Sequence, residues 1–170
     1  MKVKILTFSI VFTVLTIIQL NAQVEKFQAA YIFNFTRFVE WPADYLTGNF
    51  IIGVLGNDPV VKEIQDLAST KTIYGRKIDV KVFSNPSSIS SCHILFVPEN
   101  QSSKISDAKS KIQSQSVLLI SYSSGGISSG SGINFVLSGS KLQFEIKKSN
   151  IIDQGLKVNT DLENLAMKKY

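Results

Sequence analysis

A serine flanked by glycines is the first group in this sequence that suggests covalent chemistry. Gly126-Ile-Ser128-Ser-Gly130 matches the G-x-S-x-G pattern of serine hydrolases, in which the serine lies on a sharp strand-to-helix turn and a histidine acts as base. The residues after Gly130 instead follow a strand pattern, and the chain's single histidine, His93, precedes the serine. The α/β-hydrolase order places histidine last. A chance match in a Ser/Gly-rich segment is the simpler interpretation, and Ser128 stays a minor hydrolase hypothesis.

The other chemistry-bearing groups are isolated from one another. His93 has no second histidine with which to share a metal ion, and Cys92 beside it would point to the opposite face of a strand. The segment Gly53-Val-Leu-Gly56 lacks the third glycine of a dinucleotide fingerprint and the Gly-Lys-Ser/Thr of a phosphate loop. The acidic residues are dispersed along the sequence. We therefore predict no enzymatic activity, no cofactor and no metal, and we favour a binding module.

The first 22 residues are typical of a secretory signal peptide. Lysines precede a nearly unbroken apolar run over Ile5–Leu20, and Ala22 supplies the small residue of a cleavage site. The apolar run is at the short end of what spans a bilayer, which favours cleavage over a membrane anchor. The sequence thus predicts a signal peptide over residues 1–22 and an exported domain over residues 23–170, peripheral to the membrane at most.

The charge distribution argues against nucleic-acid binding, and the cysteine content excludes an intramolecular disulfide. The chain of 170 residues has a formal net charge of +5, part of which belongs to the signal peptide. Lysine and arginine are scattered without a basic stripe, so we predict no nucleic-acid binding. The single cysteine, Cys92, excludes an intramolecular disulfide, and its apolar neighbours predict a buried, inert thiol.

The segment Ala29–Pro42 is the most apolar part of the exported domain. Four aromatic residues recur at helical spacing: Phe27, Tyr31, Phe35 and Phe38. The spacing predicts a core helix that ends at Trp41-Pro42, because a residue before proline is driven out of the helical region. Trp41 and Tyr45 then either plug the base of the core or stand exposed as interface anchors, since aromatic residues dominate binding hot spots.

Short apolar runs predict the strands of a sheet. Three runs have the continuous pattern of strands buried on both faces: Asn49–Leu55, His93–Val97 and Val117–Ile120. Residues Lys77–Phe83 alternate between apolar and polar, which indicates a strand near a sheet edge. Helical patterns separate these runs, with Asp58 as a plausible cap of the first. Strands that alternate with helices favour a largely parallel sheet covered on both sides.

The carboxyl-terminal third changes in composition. Residues 121–132 are mostly serine and glycine and predict a flexible loop, and a hairpin is expected from Ile133–Leu137 and Leu142–Ile146. Two short helices are expected over Ile151–Leu156 and Asp161–Met167. The predicted fold is α/β, a single domain with a mostly parallel mixed sheet, helices on both faces and a C-terminal antiparallel hairpin.

The segment Ala29–Pro42 also resembles the N-terminal signature of the YfiR family. Further stretches resemble that family's pattern in the same order: Phe50–Pro59 its first strand and turn, Cys92–Phe96 its middle strand, and Gly132–Val136 with Leu142–Ile146 its late hairpin. Together these stretches span nearly the whole exported domain.

The resemblance implies a periplasmic, non-enzymatic regulatory protein. Such proteins bind and repress the periplasmic sensor portion of an inner-membrane protein, a diguanylate cyclase, and so control cyclic-di-GMP output. The resemblance also implies a homodimer, whereas the family's redox control through cysteine pairs has no counterpart in a chain whose only cysteine is Cys92.

Two alternatives stay open at this point. One is an adaptor for a membrane histidine kinase. The other is a periplasmic small-ligand-binding protein with a pocket at the carboxyl ends of the strands, near Gly56-Asn57 and Val97-Pro98, which the loop over residues 121–132 would close.

Overall fold

Helices and strands alternate along residues 23–170, the part of the chain that the computed structural model describes. The predicted signal peptide lies outside the described residues. The helices are α1 (23–35), α2 (Val60–Thr70), α3 (Ile105–Ile112), α4 (Lys148–Ile152) and α5 (Thr160–Leu165). The strands are β1 (Val39–Glu40), β2 (Phe50–Leu55), β3 (Ile78–Phe83), β4 (Ile94–Val97), β5 (Leu118–Tyr122), β6 (Ile133–Ser138), β7 (Lys141–Ile146), β8 (Lys157–Val158) and β9 (Lys168–Lys169).

Seven of these strands form one mixed sheet in the order β3-β2-β4-β5-β6-β7-β9. Strands β2 to β6 are parallel to their neighbours, β7 returns antiparallel to β6 as a hairpin, and β9 is parallel to β7. The predicted α/β class, the parallel sheet and the antiparallel hairpin are confirmed. Strand β3 lies at the sheet edge, as its alternating pattern predicted. A separate two-stranded sheet pairs β1 with β8 antiparallel.

Helices cover both faces of the sheet, which explains why the central strands are continuously apolar. On one face α1 and α2 bury side chains such as Ile32, Phe35 and Ile64. On the other face α3 buries Ile105, Ala108 and Ile112. Phe35 stacks against Phe135 and meets Phe144 edge-on, with ring centroids 5.9 and 5.0 Å apart. Each fully buried side chain of this size contributes about 1.5–3 kcal/mol of stability.

The order of the strands reverses between β2 and β4. The chain leaves β2, crosses through α2 to β3 on one side, then returns past β2 to β4 and continues to β5 on the other side. The carboxyl ends of β2 and β4 therefore diverge at a topological switch point. In open α/β sheets the crevice outside such strand ends is the usual place for a ligand.

Helix α1 ends earlier than the sequence predicts, at residue 35 rather than at Trp41-Pro42. A tight turn follows, in which the Thr36 hydroxyl donates to the Phe33 carbonyl at 2.7 Å, and the chain then enters β1. The buried stripe is also rotated by one position, since Gln28 is buried whereas Phe27 is exposed. Both stripes fit helical spacing, and only the position of the sheet decides between them.

The Ser/Gly-rich loop packs against the sheet through a buried asparagine. Asn134 on β6 accepts from the Ser121 hydroxyl at 2.7 Å and donates to the Ser123 carbonyl at 2.9 Å. From α4, the Asn150 amide donates to the Ser131 carbonyl at 2.9 Å. The loop is therefore anchored to β6 and to α4.

Candidate functional site

Arg76 organises the end of the sheet at which β2 and β4 begin. Its guanidinium donates to a ring of backbone carbonyls at 2.6–2.9 Å, those of Tyr45, Thr47, Gly48 and Asn49. The guanidinium carbon also lies 5.6 Å from the centroid of the Phe50 ring. Five donors in a rigid plane suit this ring of acceptors, whereas an ammonium group would not reach them all. One side chain thus fixes the path of the chain from β1 into β2.

His93 completes this cluster, and both of its ring nitrogens are occupied. Nδ1 accepts from the Ile51 amide at 3.0 Å, and Nε2 lies 2.9 Å from the Tyr45 carbonyl, so Nε2 carries the proton of a neutral ring. Burial lowers the pKa of His93, and the charge of Arg76 lowers it further. The ring has no free lone pair for a metal ion. The structural role that the sequence predicted for this histidine is confirmed by these contacts.

Trp41 and Tyr45, the two predicted interface residues, pack against the same cluster. Trp41 is only 6 % exposed, and its indole nitrogen donates to the His93 carbonyl at 3.1 Å. Tyr45 is half-buried, and its hydroxyl accepts from the Ser116 amide at 3.0 Å. Trp41 therefore lacks the exposure that an anchor needs. An interface role for the pair remains a prediction, and contact with a partner would pass mainly through their neighbours.

Those neighbours form a surface groove of about 490 Å³, here called the Trp41 groove. Its lining is Glu40, Trp41, Leu46, Tyr74 and Arg76. Leu46 is 52 % exposed and Tyr74 is 55 % exposed, although both are large and apolar. The groove therefore offers an apolar surface with one acidic and one basic group at its margin.

Both the backbone and the side chain of Tyr74 are fixed by local structure. Its backbone has a positive φ of 52° in a tight turn that Gly75 completes at φ 73°, a conformation that costs a non-glycine residue energy. Its hydroxyl donates to the Thr36 carbonyl and lies 2.9 Å from the Val39 carbonyl. Nothing in the local sequence indicates that the Tyr74 hydroxyl reaches the end of α1 and β1.

A second concave feature lies at the opposite end of the sheet, outside the carboxyl ends of β2 and β4. This strand-end cleft has a volume of about 380 Å³ and is lined by Val24, Glu25, Gln28, Asp58, Pro98, Glu99, Asn100, Tyr122 and Leu137. It lies at the place that the sequence predicted for a small-ligand pocket, beside Gly56-Asn57 and Val97-Pro98. Gly56 has a φ of 78°, and an added Cβ would lie 2.7 Å from Gln101. A turn this tight favours glycine.

The cleft has an acidic character. Burial raises the pKa of Glu25, and the charges of Asp58 and Glu63 raise it further. Burial also raises the pKa of Asp58, whose Oδ1 accepts from the amide of Val60, the first residue of α2, at 3.0 Å. The cap position itself is occupied by Pro59, one residue after the predicted cap Asp58. Across residues 23–170 no three histidine, cysteine or acidic side chains are arranged to hold a metal ion.

Neither Ser128 nor Cys92 has the surroundings of a catalytic nucleophile within the described residues. Ser128 is exposed in a loop that continues directly into β6, without the helix that a nucleophile elbow requires. His93 contacts Ile51, Tyr45 and Arg76, none of which belongs to that loop. Cys92 is fully buried, and burial raises the pKa of its thiol to about 12.

In the described part of the chain, no helix is long and apolar enough to cross a bilayer.

Comparison with known proteins identifies the chain at the level of a family. No curated protein matches the sequence. The sequence pattern of the YfiR/HmsC-like family, in contrast, matches residues 25–167, a range that contains the Trp41 groove and every lining residue of the strand-end cleft except Val24. The match covers most of the chain, which therefore belongs to the YfiR/HmsC-like family.

Proposed function

We propose that this protein is a non-enzymatic periplasmic regulator that binds the periplasmic sensor portion of an inner-membrane signalling protein and holds it inactive. The observation that carries this proposal is the family match over residues 25–167, because the YfiR/HmsC-like family suggests a periplasmic regulator of a diguanylate cyclase. The proposed output is the rate of cyclic-di-GMP synthesis in the cytoplasm. Export by a cleaved signal peptide over residues 1–22 is part of the proposal.

Repression of this kind needs no catalytic group. A regulator that binds the inactive state of a partner more tightly than the active state shifts the partner's equilibrium by that difference in affinity. A shift from 1:99 to 99:1 needs about a 10⁴-fold preference. The regulator therefore needs a rigid surface that fits one state of the partner.

The Trp41 groove is the surface that we propose for this contact. Leu46 and Tyr74 supply exposed apolar area at its edge, and Trp41 forms its floor. The four Arg76 hydrogen bonds and the Tyr74 hydroxyl fix the surrounding backbone. A surface that is already ordered loses less entropy on binding, so more of its contact energy appears as affinity.

Capture from envelope extract tests the proposal. The processed protein serves as bait under mild crosslinking, and mass spectrometry identifies the proteins that co-purify with it. We expect a membrane protein with a periplasmic sensor portion and a cytoplasmic diguanylate cyclase domain. Recovery of no membrane signalling protein, in repeated captures with crosslinking, would contradict the proposal.

A matched pair of variants tests the surface. Leu46→Glu places a charge in the Trp41 groove, whereas Val82→Glu places the same charge on β3, where Val82 is 48 % exposed. We expect Leu46→Glu to lower recovery of the partner about tenfold or more, as loss of a hot-spot contact does. Val82→Glu should leave recovery unchanged, and equal loss in both variants would exclude the Trp41 groove as the contact.

Further measurements test the two alternative functions, a histidine-kinase adaptor and a small-ligand-binding protein, and the proposed homodimer. Recovery of a membrane histidine kinase in place of a cyclase would favour the adaptor hypothesis. A small-ligand-binding function is favoured by one specific observation, the strand-end cleft at the switch point. The proposed homodimer predicts twice the chain mass in light scattering of the processed protein.

A further inference from the structure

The strand-end cleft has the position and size of a small-molecule site. It opens beside Asp58, which follows β2, and beside Pro98 and Glu99, which follow β4. These two strands flank the switch point of the sheet, where open α/β folds bind their ligands. Its volume of about 380 Å³ lies within the usual range for small-molecule pockets. The Trp41 groove is formed by other residues at the opposite end of the same strands.

The charges around the cleft are of one sign. Its lining contains the three carboxyl groups of Glu25, Asp58 and Glu99 and, within the described residues, no lysine, arginine or histidine. The carboxyl groups affect one another and Tyr122. Burial raises the pKa of the Tyr122 phenol, and the charges of Glu99 and Glu25 raise it further. A cleft of this charge attracts a cation.

One buried carboxylate oxygen in the cleft lacks a hydrogen-bond partner, which points to a ligand rather than to a solvated acidic surface. Gln28 lines the cleft although it is only 3 % exposed, and its side-chain amide makes no hydrogen bond to any residue of the described range 23–170. The Oε2 atom of Glu25 is buried without a hydrogen-bond partner. Buried polar atoms are satisfied in nearly all folded proteins, so Glu25 Oε2 calls for a partner from outside residues 23–170.

The arrangement fits an extended organic cation better than a metal ion. No three acidic side chains of the described residues are placed to coordinate one ion. The lining of the cleft also contains apolar groups, namely Val24, Pro98, Leu137 and the Tyr122 ring. Carboxylates spaced along an apolar wall complement an alkyl chain that carries ammonium groups.

We propose that the strand-end cleft binds a small alkyl amine, with its ammonium groups held by the carboxylates of Glu25, Asp58 and Glu99 and its alkyl chain against Tyr122 and Leu137. In this assignment the Gln28 amide oxygen accepts a hydrogen bond from an ammonium group. The proposal is independent of the membrane partner, because every residue that it uses lies outside the Trp41 groove.

Titration calorimetry on the processed protein, purified from the cell envelope, tests the proposal. The probe is 1,4-diaminobutane, with butane-1,4-diol as its uncharged counterpart and magnesium chloride at equal ionic strength as a control for charge alone. We expect saturable heat from the diamine and none from the diol or from magnesium. Saturable heat of equal size from the diol or magnesium, or no heat from millimolar diamine, would overturn the proposal.

Single substitutions assign the binding to the cleft. Glu25→Gln and Glu99→Gln each remove one carboxylate without removing a cap or a core contact, and each is expected to weaken diamine binding about tenfold or more. Asp107→Asn removes an exposed carboxylate on α3 outside the cleft and should leave binding unchanged. Unfolding transitions of the variants confirm that they are folded. Unaltered affinity in both Glu25→Gln and Glu99→Gln would overturn the proposed site.

Discussion

Two side chains, Arg76 and His93, determine the geometry of the end of the sheet where the Trp41 groove lies. Arg76 gathers four carbonyls of the segment before β2, and His93 joins that segment to β2 through the Tyr45 carbonyl and the Ile51 amide. Their side-chain nitrogens lie 3.1 Å apart. A cation beside a buried imidazole favours the neutral ring, so the two residues act as one unit.

The first prediction at this scale concerns Arg76. Arg76→Lys keeps the charge but loses the planar set of donors, and we expect the free energy of unfolding to fall by about 1–2 kcal/mol. Urea denaturation measures this change. The matched control is Arg37→Lys, which alters an exposed arginine and should stay within about 0.5 kcal/mol of the wild type. Equal stability of Arg76→Lys and the wild type would contradict the role assigned to the carbonyl ring.

The second prediction concerns pH. The pKa of His93 is lowered in the folded chain from an ordinary value of 6.5, so the unfolded chain takes up a proton first as the pH falls. Neutral His93 therefore leaves the free energy of unfolding at its full value above about pH 6.5. As the pH falls from there to the pKa of His93 in the folded chain, the free energy of unfolding decreases. Glu25 and Asp58 have raised pKa values and act in the opposite direction.

Comparison with His93→Gln isolates the histidine, because His93 is the only one in the chain. The difference in unfolding free energy between the wild type and His93→Gln, measured in urea from pH 7.5 to pH 5, should shrink as the pH falls. A difference that stays constant across this range would show that protonation of His93 does not affect stability.

At the scale of elements, turns and loops are held by contacts with distant strands and helices. The turn at Tyr74 reaches the end of α1, and the loop over residues 123–132 is held by Asn134 and Asn150. Gly126 lies so close to the Ser121 hydroxyl and the Asn134 amide that an added methyl group would collide with both. This glycine is therefore required by packing, not by catalysis.

A substitution of that glycine tests the anchored loop. Gly126→Ala should lower the free energy of unfolding by about 1–3 kcal/mol, because the methyl group must displace the buried Asn134 network. Ser124→Ala, at an exposed position of the same loop, is the control and should change stability little. A neutral Gly126→Ala, measured by thermal or urea unfolding, would mean that the loop is not packed as described.

Some elements were predictable from the sequence, and the reason is physical. Strands β2, β4 and β5 are buried on both faces, so their continuous apolar runs identify them. The β6–β7 hairpin is indicated by apolar residues that alternate with polar residues on both sides of Gly139-Ser140. Strands β8 and β9 have two residues each, which is too short for a periodic pattern. Helix α1 ends early because Thr36 and the turn after it compete with the helix, although the aromatic spacing continues.

The candidate sites were predictable only in part for a related reason. The strand-end cleft follows from a general rule about parallel sheets, and the sequence located it correctly. The cluster around Arg76 depends on pairs of residues that are far apart in sequence, such as Arg76 and His93 at a separation of 17 residues and Tyr45 and Ser116 at 71. No local pattern reports such pairs, so the sequence left the burial of Trp41 as one of two alternatives and did not indicate the exposure of Leu46.

For the whole molecule, the two ends of one sheet offer two different surfaces. The end where β2 and β4 begin carries the Trp41 groove, rigid and apolar, which suits a protein partner. The end where the same strands finish carries the acidic strand-end cleft, which suits a small cation. This separation would let a regulator bind its partner at one end while the other end stays open to solvent.

Cyclic-di-GMP content in cells that lack this protein tests the central claim most directly. We expect the content to rise on deletion, to return to the parental level with the wild type or with Val82→Glu, and to stay high with Leu46→Glu. Equal export of the three proteins, checked by immunoblot of the periplasmic fraction, makes the comparison valid. Cyclic-di-GMP content that does not change on deletion, or that Leu46→Glu restores as fully as the wild type, would contradict repression of a diguanylate cyclase through the Trp41 groove.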